Sequence, residues 1–290
     1  MDPLIWTDKP RLRNPVLVCA FKGWNDAGES ASAALGFLVE SFDATEVARI
    51  DPEEFFDFTA VRPTVRLTEG YARTIDWPAT VLSVASVPAA DRDLVFLQGA
   101  EPSLRWRAFS GAVATAAQEL GVELMLTMGA LLADVPHSRP VAISGLATDQ
   151  RLIDTLGLER TNYEGPTGIV GVLHDACQRA NVPSASLWAA VPHYVAAAPN
   201  PKAALALVRR FEGIAGVAVD GSALEEASED YEQQVNAAVA SDPEVKAFVE
   251  RLEETMDQAG EVDPLPQDLP SADAIARDFQ RFLRQRGPES

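Results

Sequence analysis

Polar side chains that could form a binding or catalytic site follow three apolar stretches of the sequence. Asn25 and Asp26 follow the first stretch, His137 and Arg139 follow a long central one, and His193 follows a third. An imidazole placed near an acid can act as a general base. Ligands of α/β proteins bind where the carboxyl ends of strands meet. We therefore expect these side chains to converge on one pocket at that edge of a sheet.

A fourth stretch, NYEGPTG at residues 162–168, adds Glu164 and Thr167 to this set. The complete set of candidate ligand-binding residues is Asn25, Asp26, His137, Arg139, Glu164, Thr167 and His193. Each also has a structural interpretation that the sequence leaves open. Asp26 and Glu29 could cap the helix that follows them, and Thr167 could cap another. Arg139 could pair with Asp134 and leave His137 in solvent.

The first of these loops, GWNDAG at residues 23–28, has the glycine spacing of a phosphate-binding loop but the wrong charge. Glu29 stands where such a loop has a lysine. The sequence also lacks G-x-S-x-G, H-E-x-x-H, paired C-x-x-C and G-x-G-x-x-G motifs. We therefore assign no catalytic residue. With three histidines, and with Cys19 and Cys177 inside apolar segments, we expect buried thiols, no metal and no cofactor.

The formal charge of −19 argues against binding to nucleic acid or to anionic membranes, since both require basic surface. The longest apolar-looking stretch, residues 182–199, contains Pro192 and His193 and is not a clean membrane span. We find no signal peptide pattern at the start of the sequence. These features predict a cytoplasmic protein.

The apolar pattern predicts an α/β fold. Residues 122–132 form a nearly continuous apolar run, as expected for a central strand that is covered on both faces. Further strands are predicted at residues 16–21, 46–50, 81–87, 94–97, 141–146 and 185–191, with a hairpin at 63–76. Helices are predicted at residues 27–42, 102–120, 165–180 and 201–211, the last with Asn200 as its N-cap.

The composition changes near residue 220. Residues 221–290 hold seventeen acidic and six basic residues, and so carry −11 of the formal charge of −19. Three helices with one-sided apolar stripes are predicted there, two of them begun by capping boxes at Ser222 and Ser241 and the third capped by Ser271. We therefore predict a core domain at residues 1–220 and an acidic helical subdomain at 221–290.

Five blocks of this sequence together resemble the proteasome assembly chaperone two (PAC-two) family, most closely its actinobacterial branch. They are GWNDAG at 23–28, GALLADVPHSRP at 129–140, NYEGPTGIVGVL at 162–173, PSASLWAAVPHYV at 183–195 and LPSADAIARDFQRFL at 269–283. The resemblance implies a three-layer α/β/α sandwich around a mixed sheet, similar to the phosphorylase/hydrolase-like fold, with the helical region as an appendage. It also implies self-association, for which a trimer is our first expectation.

The eukaryotic and archaeal members of that family are protein-binding assembly factors, whereas the bacterial members have in general no assigned activity. Some relatives dock through a C-terminal tail with the pattern hydrophobic–Tyr–any residue, and this sequence ends RGPES instead. Two hypotheses follow. The first is a non-catalytic protein-interaction or assembly factor that acts as a homo-oligomer. The alternative is a small-molecule-binding enzyme or sensor of hydrolase or phosphorylase type, whose pocket is formed by the seven candidate residues.

Overall fold

The computed structural model describes residues 3–67, 73–147, 149–160, 163–195 and 197–259. The strands are β1 (Leu4–Trp6), β2 (Val16–Lys22), β3 (Thr45–Ile50), β4 (Thr64–Leu67), β5 (Arg73–Asp76), β6 (Thr80–Ala85), β7 (Leu94–Ala100), β8 (Leu124–Ala133), β9 (Ile143–Ala147), β10 (Glu159–Arg160) and β11 (Ser184–Pro192). The helices are α1 (Ser30–Ser41), α2 (Trp106–Glu119), α3 (Gln150–Leu156), α4 (Ile169–Arg179), α5 (Pro201–Ala215), α6 (Ser222–Ala240) and α7 (Pro243–Ala259).

Nine of these strands form one mixed sheet in the order β1-β3-β6-β7-β2-β8-β11-β9-β10. Its centre is parallel, because β2 pairs in parallel with β7 and β8, and β8 pairs in parallel with β11. The flanks are mixed: β3 is antiparallel to β6, and β6 is antiparallel to β7. The carboxyl ends of the four central strands therefore meet at one edge, which we call the carboxyl edge.

Helices cover both faces of the sheet. In β2, Val16 and Val18 belong to the core that packs against α1 and α5, whereas Leu17 and Cys19 belong to the core that packs against α2 and α4. Successive side chains of a strand point to opposite faces, so one apolar run serves both layers. The structure is the α/β/α sandwich that the resemblance implied.

The C-terminal helices continue the layer of α5. Helix α6 packs against α5, and α7 packs against α6. Both are helices as predicted, but the two capping boxes are wrong. Asp220 accepts a hydrogen bond from the backbone N–H of Ser222, and Asp242 accepts from the N–H groups of Glu244 and Val245. In each case an aspartate that precedes the helix caps its first turn.

Three short elements, β1, α3 and β10, were not predicted from the sequence. Their few residues carry too little periodicity for a pattern to emerge. The cap predicted at Ser271 and the C-terminal helix that it would begin lie outside the described residues, as do Asn162 and the turn of the predicted hairpin. The division into a core at 1–220 and a helical subdomain at 221–290 stays a prediction.

Candidate functional site

Asp26 caps helix α1, in agreement with the structural interpretation of the first loop. Its Oδ1 atom accepts hydrogen bonds from the backbone N–H groups of Ala31, at 2.7 Å, and Ser32, at 3.2 Å. Burial raises the pKa of Asp26, and these hydrogen bonds oppose the rise. Glu29 makes no such cap, since its carboxylate forms an ion pair with Lys22 at 2.9 Å. The helix terminus is thus already occupied by a carboxylate of the chain.

Asn25 lies at a junction between the ends of three elements. Its backbone oxygen accepts a hydrogen bond from Ala130 in β8, and its amide side chain lies close to Gly168 at the start of α4. A Cβ atom at Gly168 would come within 2.3 Å of the Asn25 Nδ2 atom, so only glycine allows this approach. Within the described residues, Asn25 Nδ2 and Asp26 Oδ2 are buried without a hydrogen-bond partner.

Thr167 does not cap helix α4, contrary to the structural alternative that we considered for it. Gly168 occupies the N-cap position, and Glu101, which follows β7, accepts the hydrogen bond from the Ile169 N–H at 2.8 Å. Thr167 and Glu164 are both exposed. Glu101 lies beyond residue 97, where the predicted strand ended, and for that reason it was missed.

His137 is buried, with only 5% of its surface exposed, and does not face solvent as our alternative interpretation had it. Its backbone N–H donates to the Tyr194 hydroxyl at 2.8 Å, and its Nδ1 atom lies 2.8 Å from the same hydroxyl. Its Nε2 atom lies 3.0 Å from Asn236 Oδ1 in α6. A neutral ring with its proton on Nε2 satisfies all of these contacts. The imidazole therefore bridges the sheet and α6.

Arg139 pairs with α7 and not with Asp134. Its Nε and Nη2 atoms donate to the two carboxylate oxygens of Asp257 at 3.0 and 2.7 Å. This bidentate contact raises the pKa of Arg139 and lowers that of Asp257. The neighbouring Ser138 donates to Glu253, which is also in α7.

His193 and Tyr194 follow β11 and contact α7 as well. The ring of Phe248 packs edge-on against both, with centroid distances of 5.6 Å to His193 and 5.8 Å to Tyr194. Asp134, the partner that the structural alternative gave to Arg139, lies 3.0 Å from the His193 Nδ1 atom. Lys202 donates to the His137 backbone oxygen at 2.6 Å and to Glu232 in α6. We call the contacts of residues 137–139, 193 and 194 with α6 and α7 the loop–helix contact.

The seven candidate residues thus fall into separate groups. Asn25 and Asp26 bind the starts of α1 and α4, whereas His137, Arg139 and His193 bind α6 and α7. Glu164 and Thr167 are exposed on the segment before α4. A groove of about 300 Å³ lies elsewhere, beside Phe55 and Arg105, and none of the seven lines it. Their assignment as ligand-binding residues stays a prediction.

The remaining histidine, His174, is partly buried at the edge of the core, and both cysteines lie within the core. His174 contacts Thr127 Oγ1 at 3.1 Å and Ser184 Oγ at 2.9 Å, and burial lowers its pKa to about 4. Cys19 and Cys177 are free thiols, and burial raises the pKa of both, that of Cys177 to about 11. The predicted burial of both thiols is confirmed, and buried thiols with raised pKa values are poor nucleophiles.

Across the described ranges, no three or more His, Cys, Asp or Glu side chains are grouped so that they could hold a metal ion. No helix in those same ranges combines the length and apolar character that a membrane span requires.

Comparison with known proteins identifies the relatives of this fold. A PAC2 family protein from Streptomyces avermitilis is 48% identical, with a TM-score of 0.76, over 81% of this chain and 99% of its own. A proteasome-assembly chaperone homologue from Mycobacterium tuberculosis is 42% identical, with a TM-score of 0.74, over the same shares.

An archaeal proteasome activator from Pyrococcus furiosus is 18% identical with a TM-score of 0.65, over 82% of this chain and 99% of its own, and so shows the fold alone. The search of curated proteins found no match. The sequence model of the PAC2 family matches residues 20–239. The resemblance found in the sequence is therefore confirmed, and the chain belongs to the PAC2 family.

Proposed function

We propose that the chain is a non-catalytic protein-interaction factor of the assembly-chaperone kind, which acts in the cytoplasm as a homo-oligomer, with a trimer as the first expectation. The observation that carries this proposal is the loop–helix contact. The side chains that follow β8 and β11, where an enzyme of this fold class would bind substrate, are instead bonded to α6 and α7. This use of His137, Arg139 and His193 disfavours the small-molecule alternative.

The partner class follows from the relatives. One relative is described as a proteasome-assembly chaperone homologue, and another as an archaeal proteasome activator. We therefore propose proteasome subunits as the first partners to test. The excess negative charge of this chain favours a partner surface that carries basic residues.

The test is a binding assay with two arms. In the first arm, the immobilised full-length protein is titrated with purified actinobacterial proteasome α subunits and, separately, β subunits. We expect saturable binding to one of them, and binding to neither would contradict the partner class.

The second arm is a thermal-shift screen against nucleotides, nucleosides and common metabolites. A ligand present at 100 times its Kd stabilises a protein by about 2.7 kcal/mol, which such a screen detects. We expect no ligand to do so. A specific stabilisation that is lost in both Asp26→Ala and His137→Ala would overturn the non-catalytic assignment in favour of the pocket.

A further inference from the structure

The ribbon formed by β4 and β5 is amphipathic, and its apolar face is exposed. The strands pair so that Val65 lies opposite Ile75 and Leu67 lies opposite Arg73, all on one face. The exposed fractions are 56% for Val65, 72% for Leu67 and 54% for Ile75. The other face carries the polar residues Thr64, Arg66, Thr74 and Asp76.

Among the described residues, the ribbon has an anchoring contact at its base and contacts between its own strands. Trp77, directly after β5, packs edge-on against Phe58 with a centroid distance of 4.9 Å. Arg66 and Asp76 form an ion pair across the polar face. An isolated two-stranded ribbon is marginally stable in water, and an exposed apolar face of this kind marks an interaction surface. We therefore expect another protein surface to bind the apolar face of the ribbon.

We propose that a second copy of this chain covers the apolar face of the β4–β5 ribbon. The proposal rests on the homo-oligomer of the proposed function and names the element that forms it. The distribution of charge along the chain favours this contact. Two copies that each carry −19 repel one another, so at least one of the two surfaces in their contact must carry few acidic residues. Residues 62–77 hold three arginines and two acids, a net charge of +1.

The ribbon also offers a specific match for the acidic surface of a second copy. Arg73 lies on the apolar face beside Leu67, where it can pair with a carboxylate while the apolar side chains are buried. Helix α6 presents exposed acids at Glu226, Glu229 and Asp230. A ribbon that binds a different surface of the next copy makes a heterologous contact, and such contacts form a ring when the rotation between copies closes.

The ribbon stands where such a contact is accessible. Strand β3 is antiparallel to β6, which is antiparallel to β7, so β3 ends and β6 begins at the carboxyl edge. The ribbon lies in the chain between β3 and β6 and therefore leaves the sheet at that edge. All eight residues of its strands are exposed.

The experiment compares two single substitutions in the full-length protein by light scattering coupled to gel filtration over a concentration series. Leu67→Glu places a carboxylate on the apolar face, opposite Arg73. Thr74→Glu is the matched control, since it places the same charge on the polar face, opposite Arg66. We expect wild type and Thr74→Glu to form the same oligomer, and Leu67→Glu to associate on the order of tenfold or more weakly.

Each other outcome overturns the inference in a recognisable way. If Leu67→Glu retains the wild-type mass at all concentrations, the ribbon does not form the contact. If it retains that mass but loses binding to proteasome subunits, the ribbon binds the partner protein and not a second copy. If wild type is monomeric, the inference fails together with the homo-oligomer. Saturable subunit binding would even then uphold the protein-interaction role.

Discussion

The C-terminal helix pair, α6 and α7, and the β4–β5 ribbon each present one apolar face, but only the helix pair has this face packed against its own chain. Leu224, Tyr231 and Val235 of α6 are buried, and so is Val249 of α7. The four residues of each ribbon strand are exposed. Removing an apolar face from water is favourable for both segments. The helix pair does this by packing on its own chain, whereas the face of the ribbon stays exposed in the single copy.

The polar contacts show the same difference: those of the helix pair reach other parts of the chain, whereas that of the ribbon is local. The helix pair is bonded to residues far away in the sequence, as in the contacts of His137 with Asn236 and of Arg139 with Asp257. The ion pair of the ribbon, Arg66 with Asp76, stays within the ribbon. The helix pair is thus packed into the fold of one copy, whereas the exposed apolar face of the ribbon is the surface that our proposal assigns to a second copy.

The largest expected effect concerns His174 in α4, which lies on the face of the sheet opposite to α5 and α6 and therefore serves as a reference that belongs to neither segment. Because burial lowers the pKa of His174 to about 4, the folded protein binds a proton less readily than the unfolded chain, in which the pKa is about 6.5. The contribution of His174 to the unfolding free energy is therefore fully present above pH 6.5 and is lost as the pH falls from 6.5 towards 4. The loss of unfolding free energy is at most about 3 kcal/mol, since His174 is only partly buried.

Urea unfolding at a series of pH values measures this loss. In His174→Gln the contribution should disappear, while the amide can still bond to Thr127 or Ser184. His193→Gln, at the exposed end of β11, should retain the full decline. An unchanged pH dependence in His174→Gln would show that acid acts on another part of the molecule.

His137→Ala is expected to cost about 2 to 3 kcal/mol of unfolding free energy, because it leaves the Tyr194 hydroxyl and the Asn236 amide without their shared partner. Hydrogen exchange should show faster opening of α6 and α7 than of the central strands. His137→Gln, which can restore one of the two bonds, should recover part of the loss. Equal acceleration of exchange in all elements would mean that the helix pair does not open separately from the rest of the fold. The loop–helix contact would then not be a local attachment of α6 and α7.

Much of the fold could be predicted because it follows from local apolar patterns. The run at residues 122–132 became β8, and Asn200 caps α5 through a hydrogen bond to the Ala203 N–H, as predicted. The stripe of α6 also revealed its buried face. In these cases the deciding residues lie within one or two turns of each other.

The polar contacts could not be predicted in the same way. One interpretation of the sequence paired Arg139 with Asp134, five residues away, but Arg139 binds Asp257, which lies 118 residues away. Nearby charges gain little from pairing in solvent, so packing of α7 decides which carboxylate is reached. The capping boxes failed for a related reason: each serine was preceded or followed by an aspartate that binds the helix N–H groups instead. A sequence pattern alone does not show which of several nearby side chains will form the ion pair or cap the helix.

Arg139→Gln tests how much of the loop–helix contact is electrostatic. The Arg139 side chain is about one-third exposed and that of Asp257 more than half, so we expect only a small loss of unfolding free energy at low salt. The difference from wild type should vanish in 1 M salt, where charges are screened within about 3 Å. Lys246→Gln, which removes a fully surface pair with Glu250, serves as the control and should have no measurable effect. A loss that persists at high salt would assign the role of Arg139 to packing of its stem.

The smallest effect is expected at Val65, and it tests the ribbon side of the comparison. Val65→Thr keeps the branched side chain that strands favour and removes only apolar surface. At protein concentrations where copies are separate, Val65 is exposed, so the unfolding free energy should change by less than about 0.5 kcal/mol. At concentrations where copies associate, wild type should gain stability by mass action and the variant should gain less. Thermal unfolding over a dilution series separates the two regimes. A large loss in the dilute regime would instead mean that the ribbon packs on its own chain, and that the helix pair and the ribbon do not differ as described.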